Sequence, residues 1–159
     1  MIVQREIICK IGEVKIAKSG ELLRAMLGSC VGIGMIWRNE KRCALAHCLL
    51  SEQPVKTFEI TARYVSQAIP SLLTLLKTPQ DRYGELEIVL AGGAHMMGPT
   101  VKSEVLNIGR ANVECAQKRL QELKLHVIHQ EVGGILGRHI AIDSETFAYS
   151  IRTIKAHAA

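Results

Sequence analysis

Val31-Gly32-Ile33-Gly34-Met35-Ile36-Trp37, then a polar Arg38-Asn39-Glu40-Lys41-Arg42, then Cys43-Ala44-Leu45-Ala46-His47-Cys48-Leu49-Leu50: this stretch decides the fold. In the first segment Val31, Ile33, Met35 and Trp37 alternate with mostly small residues, the period of two that marks a strand. The polar residues read as a turn, and the second segment returns as a mostly buried strand. The two make a hairpin, which sets the start of the first strand beside the end of the second. Working back from it, Leu22, Leu23, Met26 and Leu27 lead into Gly28-Ser29. The region from Glu13 to Leu50 therefore reads as three or four short strands joined by tight turns.

Beyond the hairpin the period changes. Ile60, Tyr64, Ala68, Leu72 and Leu75 or Leu76 recur at helical spacing, with Pro70 expected to kink or split the helix. Glu85 to Ala91 reads as a buried strand ending in Gly92-Gly93, and Ile108, Ala111, Cys115, Leu120 and Leu123 mark a second helix. Val127 to Val132, Arg138 to Ile142 and Phe147 to Ile154 supply closing strands, with turns at Gly133-Gly134 and Asp143-Ser144. The order implies an α/β fold: a single-domain sandwich over residues 1–159, with a mixed, largely antiparallel sheet and helices packed against it.

Composition removes several classes of function. Hydrophobic residues are 48% of the chain and charged residues 22%, the profile of a globular protein. No apolar run approaches the roughly 20 residues that span a bilayer, and Gln4, Arg5 and Glu6 interrupt any leader. A cytoplasmic protein without membrane insertion is expected. The five cysteines are an odd number with no CxxC pair, which fits reduced thiols. The net charge of +5 is scattered among acidic residues, and one Trp, three Tyr and two Phe give no stacking platform. Nucleic acid is not the expected partner; an acidic protein surface is compatible with the charge.

Two residues could carry chemistry. Cys30 follows Gly28-Ser29 where a turn enters a strand, and backbone N–H groups in such a turn can converge on an anion. A thiol there could attack a carbonyl while Gly28 and Ser29 shape a cradle for the oxyanion. On spacing alone Cys30 reads more readily as a small buried hydrophobe, the fate of most free cysteines. His47 lies in an apolar stretch where a buried imidazole needs a partner, and the hairpin makes it a cross-strand neighbour of Cys30. An imidazole there could generate the thiolate, or it could be bonded to backbone in the core. Cys43, His47 and Cys48 do not make a metal site, because on a strand Cys48 points away from the other two. The glycine pairs 92-93 and 133-134 match no phosphate loop.

Leu27-Gly28-Ser29-Cys30-Val31 with Ala46-His47, Ala91-Gly92-Gly93-Ala94, Ile108-Gly109-Arg110-Ala111-Asn112-Val113, and Val132-Gly133-Gly134 with Gly137-Arg138 resemble, in order, the motifs of the CheD family of chemoreceptor glutamine deamidases. The resemblance runs from about Gly12 to Ile154. It implies an α/β sandwich that hydrolyses glutamine side-chain amides of chemoreceptor cytoplasmic helices, with Cys30 as nucleophile, His47 as base, and neither cofactor nor metal. It also implies a CheC-type chemotaxis phosphatase as a partner, and a CheD-like binder with little catalysis as the alternative function. The family usually has a threonine a few residues before the cysteine to orient the histidine, whereas this chain has Arg24-Ala25-Met26. Ser19, Ser29, a backbone carbonyl or water would have to take its place. Ala94-His95-Met96-Met97 carries histidine where the family commonly has asparagine.

Overall fold

The computed structural model describes residues 4–96 and 107–154. The elements in chain order are β1 (Arg5–Ile8), β2 (Val14–Ile16), β3 (Glu21–Leu27), β4 (Val31–Trp37), β5 (Arg42–Cys48), α1 (Val65–Leu76), β6 (Glu87–Gly92), α2 (Ile108–Glu122), β7 (His126–Val132), β8 (Arg138–Asp143) and β9 (Tyr149–Thr153). They build an α/β sandwich with two sheets where one was expected: four strands in the order β1-β3-β8-β9 and five in the order β2-β5-β4-β6-β7. Both sheets are mixed, with β1/β3 and β6/β7 parallel and the other pairs antiparallel.

The hairpin is the centre of the five-stranded sheet. Its register runs from Val31 opposite Cys48 to Trp37 opposite Arg42. A short 3-10 turn at Arg38–Glu40, closed by Lys41 in the left-handed region, joins the strands. Alternation then sorts the side chains into two cores. Val31, Ile33, Met35, Trp37, Ala44, Ala46 and Cys48 face α1 and α2. Ile36, Cys43 and Leu45 face the four-stranded sheet, meeting Leu23, Ile140 and Ile142. Full burial of each such aliphatic side chain stabilises the fold by about 1.5–3 kcal/mol.

Three details differ from the sequence reading. α1 begins at Val65, leaving Ile60 half-exposed outside it, and it runs unbroken through Pro70. Pro70 lies on the exposed side of α1, so the lost hydrogen bond is outweighed by the burial of Ile69, Leu72 and Leu76 against the sheet. β1 lies ahead of the first expected strand; it pairs only at the sheet edge, and its short, largely exposed sequence carries little alternation. On α2 the buried stripe is Gly109, Asn112, Val113, Cys115, Ala116 and Leu120, which turns Ile108 and Leu123 towards solvent and brings Asn112 inside.

Glycines set how closely the layers approach. A Cβ on Gly34 would stand 2.6 Å from Ile142 Cδ1 of the facing sheet. One on Gly92 would stand 2.2 Å from the carbonyl oxygen of Cys30, and Gly92 itself has φ of 103°. A side chain can rotate away, whereas backbone cannot. Gly34→Ala is therefore expected to lower stability by about 1–3 kcal/mol, and Gly92→Ala by clearly more, since left-handed strain adds to the clash. Urea unfolding of the two variants checks the order.

Candidate active site

Gly28-Ser29-Cys30 is the bend by which the chain leaves β3 in one sheet and enters β4 in the other. Residues 9–13 make a second crossing at the same end, from β1 to β2, and residues 133–137 a third, from β7 to β8. The candidate residues gather where these crossings meet.

His47 belongs to β5 and is held on every side by the second crossing. Its N–H donates to Glu13 O at 3.0 Å, and its carbonyl accepts from Gly12 N–H at 2.8 Å. Its Nδ1 lies 2.9 Å from the carbonyl oxygen of Cys9. A carbonyl only accepts, so Nδ1 carries the proton and Nε2 keeps a lone pair. Nε2 is buried and has no hydrogen-bond partner among the described residues. Burial pushes the His47 pKa down, against smaller upward effects of the Cys9 carbonyl and Glu13.

Cys9 is itself fixed between the sheets. Its N–H donates to Arg24 O at 2.7 Å, and its thiol shares its single proton between Glu13 O at 3.2 Å and Leu45 O at 3.3 Å. Among the groups that could stand in for the missing threonine, the backbone carbonyl is the one against His47. Ser19 instead donates to Glu145. Arg24 points to the outer face of the four-stranded sheet, where it donates to Glu6 and His139.

Cys30 precedes β4, so the register that sets Gly32 opposite His47 places Cys30 and His47 as diagonal neighbours across the hairpin. Cys30 packs with the core between the sheets, and His47 alternates onto that same face with Cys43 and Leu45. Cys30 is 6% exposed and His47 4%, so both residues are buried. Burial raises the Cys30 pKa, partly offset by its own backbone N–H, which lies against the sulfur. Both shifts favour neutral forms, so the pair rests as thiol and imidazole.

Three successive carbonyls of the bend are pinned from outside it. Gly28 O accepts from Ala94 N–H at 3.0 Å, and Cys30 O accepts from Gly93 N–H at 2.9 Å. Between them Ser29 O accepts from Asn112 Nδ2 at 3.2 Å, and the same amide donates to Leu49 O at 3.0 Å. Arg138 fastens the loops behind, donating to Gly92 O at 3.3 Å and Gly133 O at 2.8 Å. The Met96 side chain lies over Gly28, its Cγ 3.2 Å from where a Cβ there would be.

The structure thus brings Cys30, His47, Gly28 and Ser29 to one end of the sandwich. It separates Cys43 and Cys48 onto opposite faces of β5. Sequence reasoning allowed a backbone carbonyl beside His47 but could not say that it is that of Cys9, which no side-chain pattern announces, and it missed the contacts of Asn112. An asparagine on the apolar stripe of a helix was the available signal.

At the crossover end of this α/β sandwich stand a buried cysteine and a buried histidine, diagonal neighbours across the hairpin. A family model described as CheD chemotactic sensory transduction matches residues 49–153. A probable chemoreceptor glutamine deamidase CheD of Bdellovibrio bacteriovorus is 37% identical over 133 residues, 84% of this chain and 85% of its own. A probable chemoreceptor glutamine deamidase CheD 2 of a Ruegeria species is 34% identical over 165 residues, 94% of this chain and 92% of its own. A chemoreceptor glutamine deamidase CheD of Halalkalibacterium halodurans is 35% identical over 132 residues, 82% of each chain. The chain belongs to the CheD family.

The resting protonation states have measurable consequences. Alkylation of Cys30 by iodoacetamide should rise with pH through a midpoint above the ordinary thiol value of about 8.5; a midpoint well below it would mean a preformed thiolate. His47 has a depressed folded pKa, so its stabilising contribution is complete above the unfolded value of about 6.5 and is lost as pH falls towards the folded one. His47→Gln should flatten that part of the stability curve measured by urea unfolding.

Proposed function

We propose that this protein is a glutamine deamidase acting on the cytoplasmic helices of chemotaxis receptors, with Cys30 as nucleophile and His47 as base. The observation that carries this reading is the contact of His47 Nδ1 with the Cys9 carbonyl, which fixes the tautomer and leaves Nε2, without a hydrogen-bond partner among the described residues, on the face that holds the Cys30 thiol. The relatives' names supply the substrate class. As sulfur bonds to the amide carbon, Nε2 takes the thiol proton and the carbonyl oxygen becomes an oxyanion in the Gly28-Ser29-Cys30 bend. The C–N bond breaks as His47 passes that proton to the departing ammonia, leaving a thioester. Water then adds, again losing a proton to Nε2, and glutamate and the free thiol result.

The same reading treats the whole chain as one catalytic unit, cytoplasmic and working without cofactor or metal, with a CheC-type phosphatase as a binding partner. Among the described residues no helix is long and apolar enough to cross a membrane. Dialysis against a chelator should leave activity intact.

The test is conversion of receptor glutamines to glutamate, followed by peptide mass spectrometry on receptor cytoplasmic fragments. Cys30→Ala should abolish it, whereas Cys43→Ala and Cys115→Ser should retain it. Turnover undiminished in Cys30→Ala would overturn the mechanism. Binding of receptor fragments without any conversion by the unsubstituted protein would instead favour the binder.

Arg24→Thr and Ala25→Thr, made separately, distinguish the Cys9 carbonyl from the family's threonine, since Ala25 faces the core between the sheets and Arg24 does not. Position 24 faces outward, so the new hydroxyl should not reach His47 and turnover should stay within about twofold. A large gain in either variant would show that the carbonyl leaves the imidazole under-orientated.

A further inference from the structure

We infer that Asn112 is the positioning residue of the oxyanion cradle: by holding the Ser29 carbonyl it aims the Cys30 N–H at the carbonyl oxygen of an attacked substrate. The inference rests on Cys30 being the nucleophile. A trans peptide is planar, and its C=O and N–H point in opposite directions. The described peptide bonds are all trans. Fixing one end of the Ser29–Cys30 peptide therefore fixes the other. Asn112 Nδ2 lies 3.2 Å from Ser29 O, which turns the Cys30 N–H away from α2. The Gly28–Ser29 peptide obeys the same rule, with its carbonyl held by Ala94 N–H at 3.0 Å. Two consecutive N–H groups of the bend are thereby directed away from the groups that pin their carbonyls.

The second donation of Asn112, to Leu49 O at 3.0 Å, ties the bend to the residue that follows β5 two positions after His47. One amide thus sets the cradle in register with both ends of the catalytic hairpin. α2 can deliver that amide because it packs on the 92–94 loop without a side chain between them. A Cβ on Gly109 would stand 2.5 Å from the carbonyl oxygens of both Gly93 and Ala94. Asn112 is fully buried, and its Oδ1 has no hydrogen-bond partner among the described residues. The residue is held there by what its nitrogen donates to.

Acylation and alkylation of the same thiol separate this role from a general one. With p-nitrophenyl acetate the sulfur bonds to the acetyl carbon, an oxyanion forms, and p-nitrophenolate leaves. With iodoacetamide the sulfur displaces iodide at a CH₂ carbon and no oxyanion arises. Both reactions are followed at Cys30 by peptide mass spectrometry at one pH. Asn112→Ala should slow acylation on the order of tenfold, less than the 10²–10³-fold cost of deleting a cradle donor outright, and leave alkylation within about twofold. Asn112→Asp keeps the volume if the alanine variant does not fold. Its carboxyl group has at most one proton to offer two carbonyls, so it should show the same selective loss. Equal loss of both rates, no loss of either, or an unsubstituted protein alkylated but not acylated at Cys30 would each overturn the inference. None of these readings needs a receptor substrate, so failure here is distinguishable from failure of the deamidase reading, which the receptor fragments test.

Discussion

The bond from His47 Nδ1–H to the Cys9 carbonyl is the contact on which the site depends, because it is made across the sandwich. Cys9 follows β1 and is tied to β3 through its N–H on Arg24 O, whereas His47 belongs to β5 of the other sheet. The imidazole is therefore orientated only when the two sheets are docked. A buried imidazole without that acceptor would leave both nitrogens unpaired, at a cost of about 1–3 kcal/mol for each unsatisfied group. Folding and the orientation of His47 are coupled through one carbonyl oxygen, and the Cys9 thiol, bonded to Glu13 O and Leu45 O, holds that oxygen in place.

Electrostatics at the site follow from the same docking. Closing the sheets removes water from Cys30 and His47, raising one pKa and lowering the other. A resting ion pair is disfavoured, so in the proposed reaction proton transfer would accompany the attack itself. Under the proposed function this suits an amide, whose nitrogen must be protonated to leave: the proton taken from sulfur would still be on Nε2 when ammonia needs it. A thiolate formed in advance would be the stronger nucleophile, but here it would lie in a layer with little water to solvate it.

Much of this was legible in the sequence. The hairpin was readable because both of its strands carry a clean apolar pattern around a polar turn, and it alone brings Cys30 and His47 near each other. The division into two sheets was not readable, because a strand's own residues do not say which neighbours it will pair with. β3 and β4 are adjacent in sequence yet belong to different sheets, separated only by Gly28-Ser29-Cys30. The orientating group was hidden for a different reason. A backbone carbonyl is present at every residue, so nothing in the letters at Cys9 marks it, and of Arg24-Ala25-Met26 only Ala25, which has no hydroxyl, turns into the core between the sheets.

Asn112 shows how a local violation of pattern carries information. α2 buries a stripe of small and apolar residues, and a polar side chain in such a stripe is costly unless its groups are bonded. Here the amide nitrogen is satisfied twice while its oxygen has no partner among the described residues, so among them the arrangement does not maximise stability. Leucine of similar volume would spare the orphaned oxygen, yet it would leave the Ser29 and Leu49 carbonyls without their donor and the bend free to turn its peptide. The residue type is thus explained by the two carbonyls it holds at the crossover, and only secondarily by the core in which it is buried.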